Sequence, residues 1–108
     1  MPTLQRVASF DIRSSLASRV STLVQILNPK FPNLVVVPMG DGEELGGSTE
    51  KIIGQIAYLI NVVIPEMANH AWLIQAAEKF TEVLTKLQEI GALDLQEAML
   101  LQPHDSVQ

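Results

Sequence analysis

The fold class of this 108-residue chain depends on one run near its middle, from Ile52 to Ile64: IIGQIAYLINVVI. Read with a period of two, one face carries Ile52, Ile56, Tyr58, Ile60, Val62 and Ile64. Read as a helix, one side carries Ile52, Ile56, Leu59 and Val63. Because both periods fit, β-branched content and the flanking Gly54 and Pro65 must decide, and they favour a long strand with a mixed second face.

A shorter valine-rich run precedes it and indicates a second strand. Leu34 to Val37 reads LVVV, and Pro38 ends this strand or places it at a sheet edge because proline cannot donate to a ladder. Residues 39–51 between the two runs hold four glycines and four acids, which is typical of a loop. The prediction is a small antiparallel sheet, a hairpin of about 33–38 and 52–64.

Two amphipathic helices are expected to cover this sheet. The first, about 11–27, has an apolar stripe of Ile12, Leu16, Val20, Leu23 and Leu27. The second, about 69–90, begins at the N-cap candidate Asn69 and ends at Gly91. Asp94 and Glu97 resemble a capping box that opens a short C-terminal helix. The predicted fold class is α+β, with one domain at 1–102 and a C-terminal tail at 103–108.

Composition excludes several function classes. The chain is 47% apolar and 18% charged, so it has enough apolar side chains for a core, and it has no cysteine for disulfides, thiolate zinc sites or nucleophilic thiols. Its net charge of −5 argues against partners such as nucleic acid or an anionic membrane. No run approaches the roughly 20 apolar residues that span a bilayer. We expect a soluble protein made inside the cell.

The acidic loop does not match a known catalytic or cofactor motif. Gly42 and Gly47 have the spacing of the outer glycines of a phosphate-binding loop, but the lysine is missing, and Glu43 and Glu44 would repel a polyphosphate. We therefore expect no cofactor and no enzymatic activity. The less favoured alternative is a metal-binding protein or small enzyme with a site around Asp41, Glu43 and His70.

The charge distribution instead suggests contacts with other protein chains. Residues 1–39 have a balance of +3 and residues 40–50 a balance of −4, which would allow head-to-tail docking of copies. The predicted contact residues are Asp41, Glu43, Glu44 and Leu45 in the loop and Arg13 and Arg19 on the first helix. Tyr58 and Trp72 are amphipathic aromatics that suit an interface or the core equally well.

Between Phe31-Pro32 and Gly91-Ala92-Leu93, the chain resembles the tail terminator proteins of long-tailed bacteriophages in layout. The matching points are Phe31-Pro32 before a valine-rich strand, the loop from Gly40 to Glu44, the strand end Val62-Val63-Ile64-Pro65, and the helix with Trp72. The resemblance implies a hexameric ring that caps the tail tube and meets the head connector. It departs from the family after residue 93, where further strands are replaced by a short helix and tail.

The resulting interpretation is a structural, non-enzymatic virion subunit, in a ring at a phage tail end or head–tail junction, and otherwise a cytoplasmic protein. Its partners would be copies of itself and neighbouring tail-tube or connector proteins. The physical basis is a strand with two apolar faces on a chain too small to cover both. The alternative is an all-α interaction module in which 50–64 is a buried helix and a groove binds the partner.

Charge reversal tests the docking hypothesis. Replacing Glu43 and Glu44 with lysine should weaken assembly in a salt-dependent way, because the loop would lose its attraction to basic side chains. Sedimentation at several salt concentrations measures this, and an unchanged profile would discard electrostatic docking.

Overall fold

The computed structural model describes residues 2–38, 44–61 and 69–102, with the side chains of 2–11 excepted. These residues form four helices: α1 (Pro2–Leu27), α2 (Thr49–Asn61), α3 (His70–Glu89) and α4 (Leu95–Leu100). Helices α1, α2 and α3 contact one another in every pairing, and α4 packs against the end of α3. The described part of the chain is therefore a three-helix bundle with a short fourth helix, and it contains no strand.

Helix α2 overturns the predicted α+β fold, since the hairpin of about 33–38 and 52–64 is wrong over its described part. Positions 62–64 lie outside the described residues. The helix has a clear start: Ser48 Oγ accepts a hydrogen bond from the backbone N–H of Lys51 at 3.3 Å, and Glu50 lies in the first turn. The alternative that made this run a buried helix describes residues 49–61 correctly.

Burial explains why the helix forms despite the isoleucines. Helix α2 lies between α1 and α3, and its buried residues are Ile53, Gly54, Gln55, Ile56, Ala57, Leu59 and Ile60. A β-branched residue costs a helix less than about 0.7 kcal/mol, whereas burying an isoleucine side chain contributes about 1.5–3 kcal/mol. The free energy of burial therefore outweighs the strand propensity.

The valine run forms no strand and instead crosses α2 at a glycine. The backbone N–H of Val37 donates to the carbonyl of Gly54 at 3.3 Å. A Cβ atom at Gly54 would collide with the carbonyl oxygen of Val35. The segment 34–38 can approach α2 this closely only because position 54 has no side chain.

The other helices agree with the sequence pattern. The stripe of α1 is fully buried at Leu16, Val20, Leu23 and Leu27, and Ile12 packs at its edge. The helix begins at Pro2 rather than near Asp11, and proline is well suited to a first helical position. In α3, Asn69 caps the start by accepting from the N–H of Trp72 at 2.6 Å.

The turn from α3 to α4 is held by two capping motifs. Gly91 has a φ of 80°, and Gly91 and Ala92 donate to the carbonyls of Gln88 and Leu87, which is the Schellman pattern. Asp94 and Glu97 form the predicted capping box, with bonds of 2.7 and 3.0 Å between each side chain and the other residue's N–H. These bonds fix where α4 starts.

Replacing Gly54 with alanine tests the crossing of 34–38 over α2. Alanine gains about 1 kcal/mol of helix propensity, but overpacking against a backbone carbonyl costs about 1–3 kcal/mol. We expect the free energy of unfolding in urea to fall by about 1 kcal/mol. Gly46→Ala is the control, because a Cβ there meets no atom within 4 Å. A Gly54→Ala variant more stable than the control would contradict this packing.

Candidate functional site

Among the predicted contact residues that the structure describes, two are buried in the core. Leu45 is 7% exposed and Trp72 is 2% exposed, so both belong to the core of this chain. Tyr58 and Arg13 are partly buried, on α2 and α1 respectively, and Glu44 is exposed. A contact with another chain would therefore have to involve residues other than Leu45 and Trp72.

Leu45 instead serves to anchor the end of the acidic loop. Next to it, the N–H of Gly46 donates to Oε1 of Gln55 at 3.2 Å, which gives the buried amide of Gln55 a partner. Asp41 and Glu43 lie outside the described residues. His70 is the first residue of α3, and no group of three or more histidine, aspartate or glutamate side chains in the described ranges could hold a metal ion.

Arg19 contacts its own chain on three sides. Its Cζ lies 5.2 Å from the centroid of the Phe80 ring, and its guanidinium donates to the carbonyl of Leu101 at 3.4 Å and to Oγ of Ser15 at 3.3 Å. Burial lowers the pKa of Arg19 from its usual value, yet a guanidinium stays charged at neutral pH. Arg19 therefore places a positive charge at the carboxyl end of α4, where a helix dipole favours it.

Lys30, in the turn that follows α1, provides a second tie to the same region. Its Nζ donates to the carbonyl of Ala92 at 2.8 Å and lies 3.3 Å from Oε1 of Glu97. The ion pair is partly exposed and contributes little alone. Arg19 on α1 and Lys30 in the turn after it thus contact the two ends of α4. Arg19, one of the two basic residues predicted to contact another copy, is therefore engaged inside this chain.

The end of α3 and the outer side of α4 carry exposed apolar side chains that the sequence analysis did not identify. We define the α4 ridge as four large side chains that are each 64–67% exposed: Ile90 at the C-cap of α3, and Leu95, Met99 and Leu100 on α4. Leu95 and Met99 are four positions apart and so share one face of the helix. Scattered exposed leucines are common, but a local group of four is typical of an interaction site.

The ridge arises because α4 is apolar on more than one side. Ala98 and Leu101 are buried against the bundle, while the ridge side chains face outward, so polar residues are confined to Gln96 and Glu97. A helix that is apolar nearly all round is normally buried on all sides. The sequence did contain this signal, since residues 95–101 read LQEAMLL.

Each end of α4 has a described cation in contact with it. Lys30 pairs with Glu97 near the amino end, where Asp94 is exposed, and Arg19 donates to the Leu101 carbonyl at the carboxyl end.

Comparison with protein-family models, with curated proteins and with solved structures gave no match for this chain. Among the described residues, no helix has both the length and the apolar character needed to cross a membrane.

Replacing Arg19 with methionine tests the tie between α1 and α4. The apolar stem would remain over Phe80, but the cation–π contact and the bond to the Leu101 carbonyl would be lost, at a cost of about 1–2 kcal/mol. Hydrogen exchange of the α4 amides should accelerate, and chemical denaturation should report the loss. Lys79→Met is the control, because its pairing with Glu82 is exposed and contributes under about 1 kcal/mol. Equal effects from both substitutions would contradict the assigned role of Arg19.

Proposed function

We propose that this chain is a non-enzymatic protein-interaction module that associates with copies of itself through the α4 ridge. The observation that carries the proposal is the exposure of Leu95, Met99 and Leu100 on α4, whose inner side is already packed, and of Ile90 at the end of α3. Removing these side chains from water is favourable at roughly 25 cal/mol per Å² of apolar surface.

The frame beneath the ridge supports this role. The Schellman turn at Gly91, the capping box at Asp94 and the ties from Arg19 and Lys30 hold α4 in place before any partner binds. A preformed surface loses less conformational entropy on association than a flexible one. Met99 adds a side chain that adapts to the shape of its neighbour.

A second copy is the occupant that the ridge fits best. Its four side chains are uncharged and mainly aliphatic, so a second ridge supplies matching apolar surface without burying an unpaired charge. Four such side chains present an area on the order of a few hundred Å², below the roughly 800 Å² per partner of a standard interface. We therefore expect weak, concentration-dependent association.

The broader expectation of a ring at a phage tail end has less support. That hypothesis depended on residues 52–64 forming an extended strand with two apolar faces, and residues 49–61 form a helix buried between α1 and α3. The layout that carried the resemblance to tail terminator proteins depended on the same strands. Self-association is the part of the expectation that the α4 ridge supports.

Charge insertion into the ridge tests the proposal. Met99→Glu should remove self-association, because it would place a carboxylate in an apolar contact, and should change the stability of the monomer by less than about 0.5 kcal/mol. Sedimentation velocity across a concentration series, with circular dichroism of each variant, measures both effects.

The matched control is Gln25→Glu, which adds the same charge to an exposed position of α1, a helix that contributes no ridge residue. It should leave association nearly unchanged. A wild-type chain that sediments as a monomer up to millimolar concentration would overturn the proposal, and so would equal loss of association in both variants.

A further inference from the structure

We propose that residues 92–101, which we call the α4 latch, detach from the three-helix bundle and dock again as one unit, with Lys30 and Glu97 as the clasp that holds them. The structure shows the docked state. Opening of the latch takes place in the otherwise folded protein, because a local unit with few buried contacts opens at a lower free energy than the whole fold.

The backbone hydrogen bonds of α4 stay within the latch. The N–H of Ala98 donates to the Asp94 carbonyl at 2.9 Å, and the N–H of Leu101 donates to the Ala98 carbonyl at 3.1 Å. At the start of the latch, the N–H of Ala92 donates to the Leu87 carbonyl of α3 at 2.9 Å. Among the described residues, detachment therefore breaks a backbone bond at the turn and leaves the helical bonds of α1, α2 and α3 in place.

The latch buries fewer large side chains than any helix of the bundle. Two leucines and two alanines of the latch are buried: Ala92, Leu93, Ala98 and Leu101. By contrast, α3 buries Trp72 and Phe80 together with three leucines. Helix α4 has six residues, and an isolated helix shorter than about 12–15 residues is marginal in water. Once detached, the latch therefore loses its helix, and its amides and buried side chains become accessible to solvent.

Glu97 couples the start of α4 to its attachment. Its Oε1 accepts from the N–H of Asp94 at 3.0 Å, which completes the capping box, and the same oxygen lies 3.3 Å from Nζ of Lys30. Lys30 also donates to the Ala92 carbonyl at 2.8 Å. Both of these partners of Lys30 belong to the latch, so the ammonium group joins the turn after α1 to the turn before α4. Removing either charge of the clasp favours the open state.

Arg19 stays with the bundle when the latch opens. Its contacts with the Phe80 ring at 5.2 Å and with Oγ of Ser15 at 3.3 Å lie within α1 and α3. Its bond to the Leu101 carbonyl, at 3.4 Å, is the one that crosses to the latch. Opening therefore frees a guanidinium that remains seated on the bundle and can bind the same carbonyl again.

Opening also affects the α4 ridge, since Leu95, Met99 and Leu100 lie on the latch. These side chains keep one arrangement while the latch is docked. Association through the ridge, which is the function proposed above, would favour the docked state, because a ligand stabilises the conformation that it binds. The opening itself does not depend on association and is measured on a dilute monomer.

Thiol labelling measures the opening, because the natural chain has no cysteine. Ala98→Cys places a thiol under the latch, and Ala76→Cys places one in α3; the two alanines are 3% and 0% exposed. With an aromatic disulfide reagent in excess, the Ala98→Cys variant should be labelled at least about ten-fold faster than the Ala76→Cys variant. Equal rates would overturn the proposal, since both thiols would then be exposed by the same global unfolding.

The clasp is tested in the same two backgrounds. Glu97→Gln keeps an oxygen that can accept from the N–H of Asp94 but removes the charge, and it should raise labelling of the Ala98→Cys variant about two- to five-fold. Lys30→Met should have a similar effect, and the two together should give less than the product of their separate effects. Labelling of the Ala76→Cys variant should not change.

Glu82→Gln is the matched control, because it removes the same charge from an exposed pair with Lys79 inside α3. It should leave labelling of the Ala98→Cys variant unchanged. Fast labelling of that variant with no response to Glu97→Gln or Lys30→Met would overturn the role of the clasp. None of these results depends on self-association, so a chain that stays monomeric would remove the proposed function and leave the latch standing.

Hydrogen exchange of the unmodified chain covers the case in which a cysteine disturbs the packing. The amides of Ala98 and Leu101 should exchange at rates close to one another, relative to their unprotected rates, and at least about ten-fold faster than the amides of Ala76 and Phe80. Exchange of all four amides with the same protection would contradict an independent opening of the latch.

Discussion

The burial of α2 between α1 and α3 is the contact on which the rest of the structure depends. Ile53, Ile56 and Leu59 are almost completely removed from water, and they meet the inward stripes of the two longer helices. Because α2 contacts both neighbours, Gly54 and Gln55 are buried along with its large apolar residues, and each has a structural role. Gly54 admits the segment 34–38, and Gln55 binds the backbone of Gly46.

The sequence predicted those helices whose stripes and caps agree. Asn69 and Gly91 bound α3, and Asp94 with Glu97 opens α4, because side-chain capping is a local interaction that can be identified without tertiary structure. The sequence-based prediction was wrong for α2, where both the strand period and the helix period fitted and β-branched content was given more weight than burial. The capping role of Ser48 was the local signal that would have favoured a helix. The strand predicted for the valine run was wrong as well, because β propensity stabilises a strand only where a partner strand completes the hydrogen-bond ladder.

The predicted contact residues show the limits of reasoning from residue type. Trp72 and Leu45 are chemically suitable for an interface, but a small bundle has few large side chains and uses both in its core. Arg19 was predicted to contact another copy, yet it donates to the Leu101 carbonyl of its own chain across a long sequence separation. Lys30, in the turn after α1, likewise donates to the distant Ala92 carbonyl. No local sequence pattern predicts hydrogen bonds between residues so far apart in the chain. The apolar outer face of α4 was visible as LQEAMLL, but its significance depends on knowing that Ala98 and Leu101 already face the bundle.

The core is packed without the ridge side chains, and this suggests that the ridge has a role other than folding. The core is built mainly from α1, α2 and α3, and Ala98 on α4 and Leu101 at its C-cap join that core without Leu95, Met99 or Leu100. Polar residues at those three positions would leave the described core contacts intact, since exposed positions tolerate substitution at little cost in stability. Folding therefore does not account for the ridge, whereas apolar side chains on a firmly held helix are what association with another chain requires. The inner side of this short helix serves the fold, so we expect its exposed outer face to tolerate substitution without unfolding of the protein.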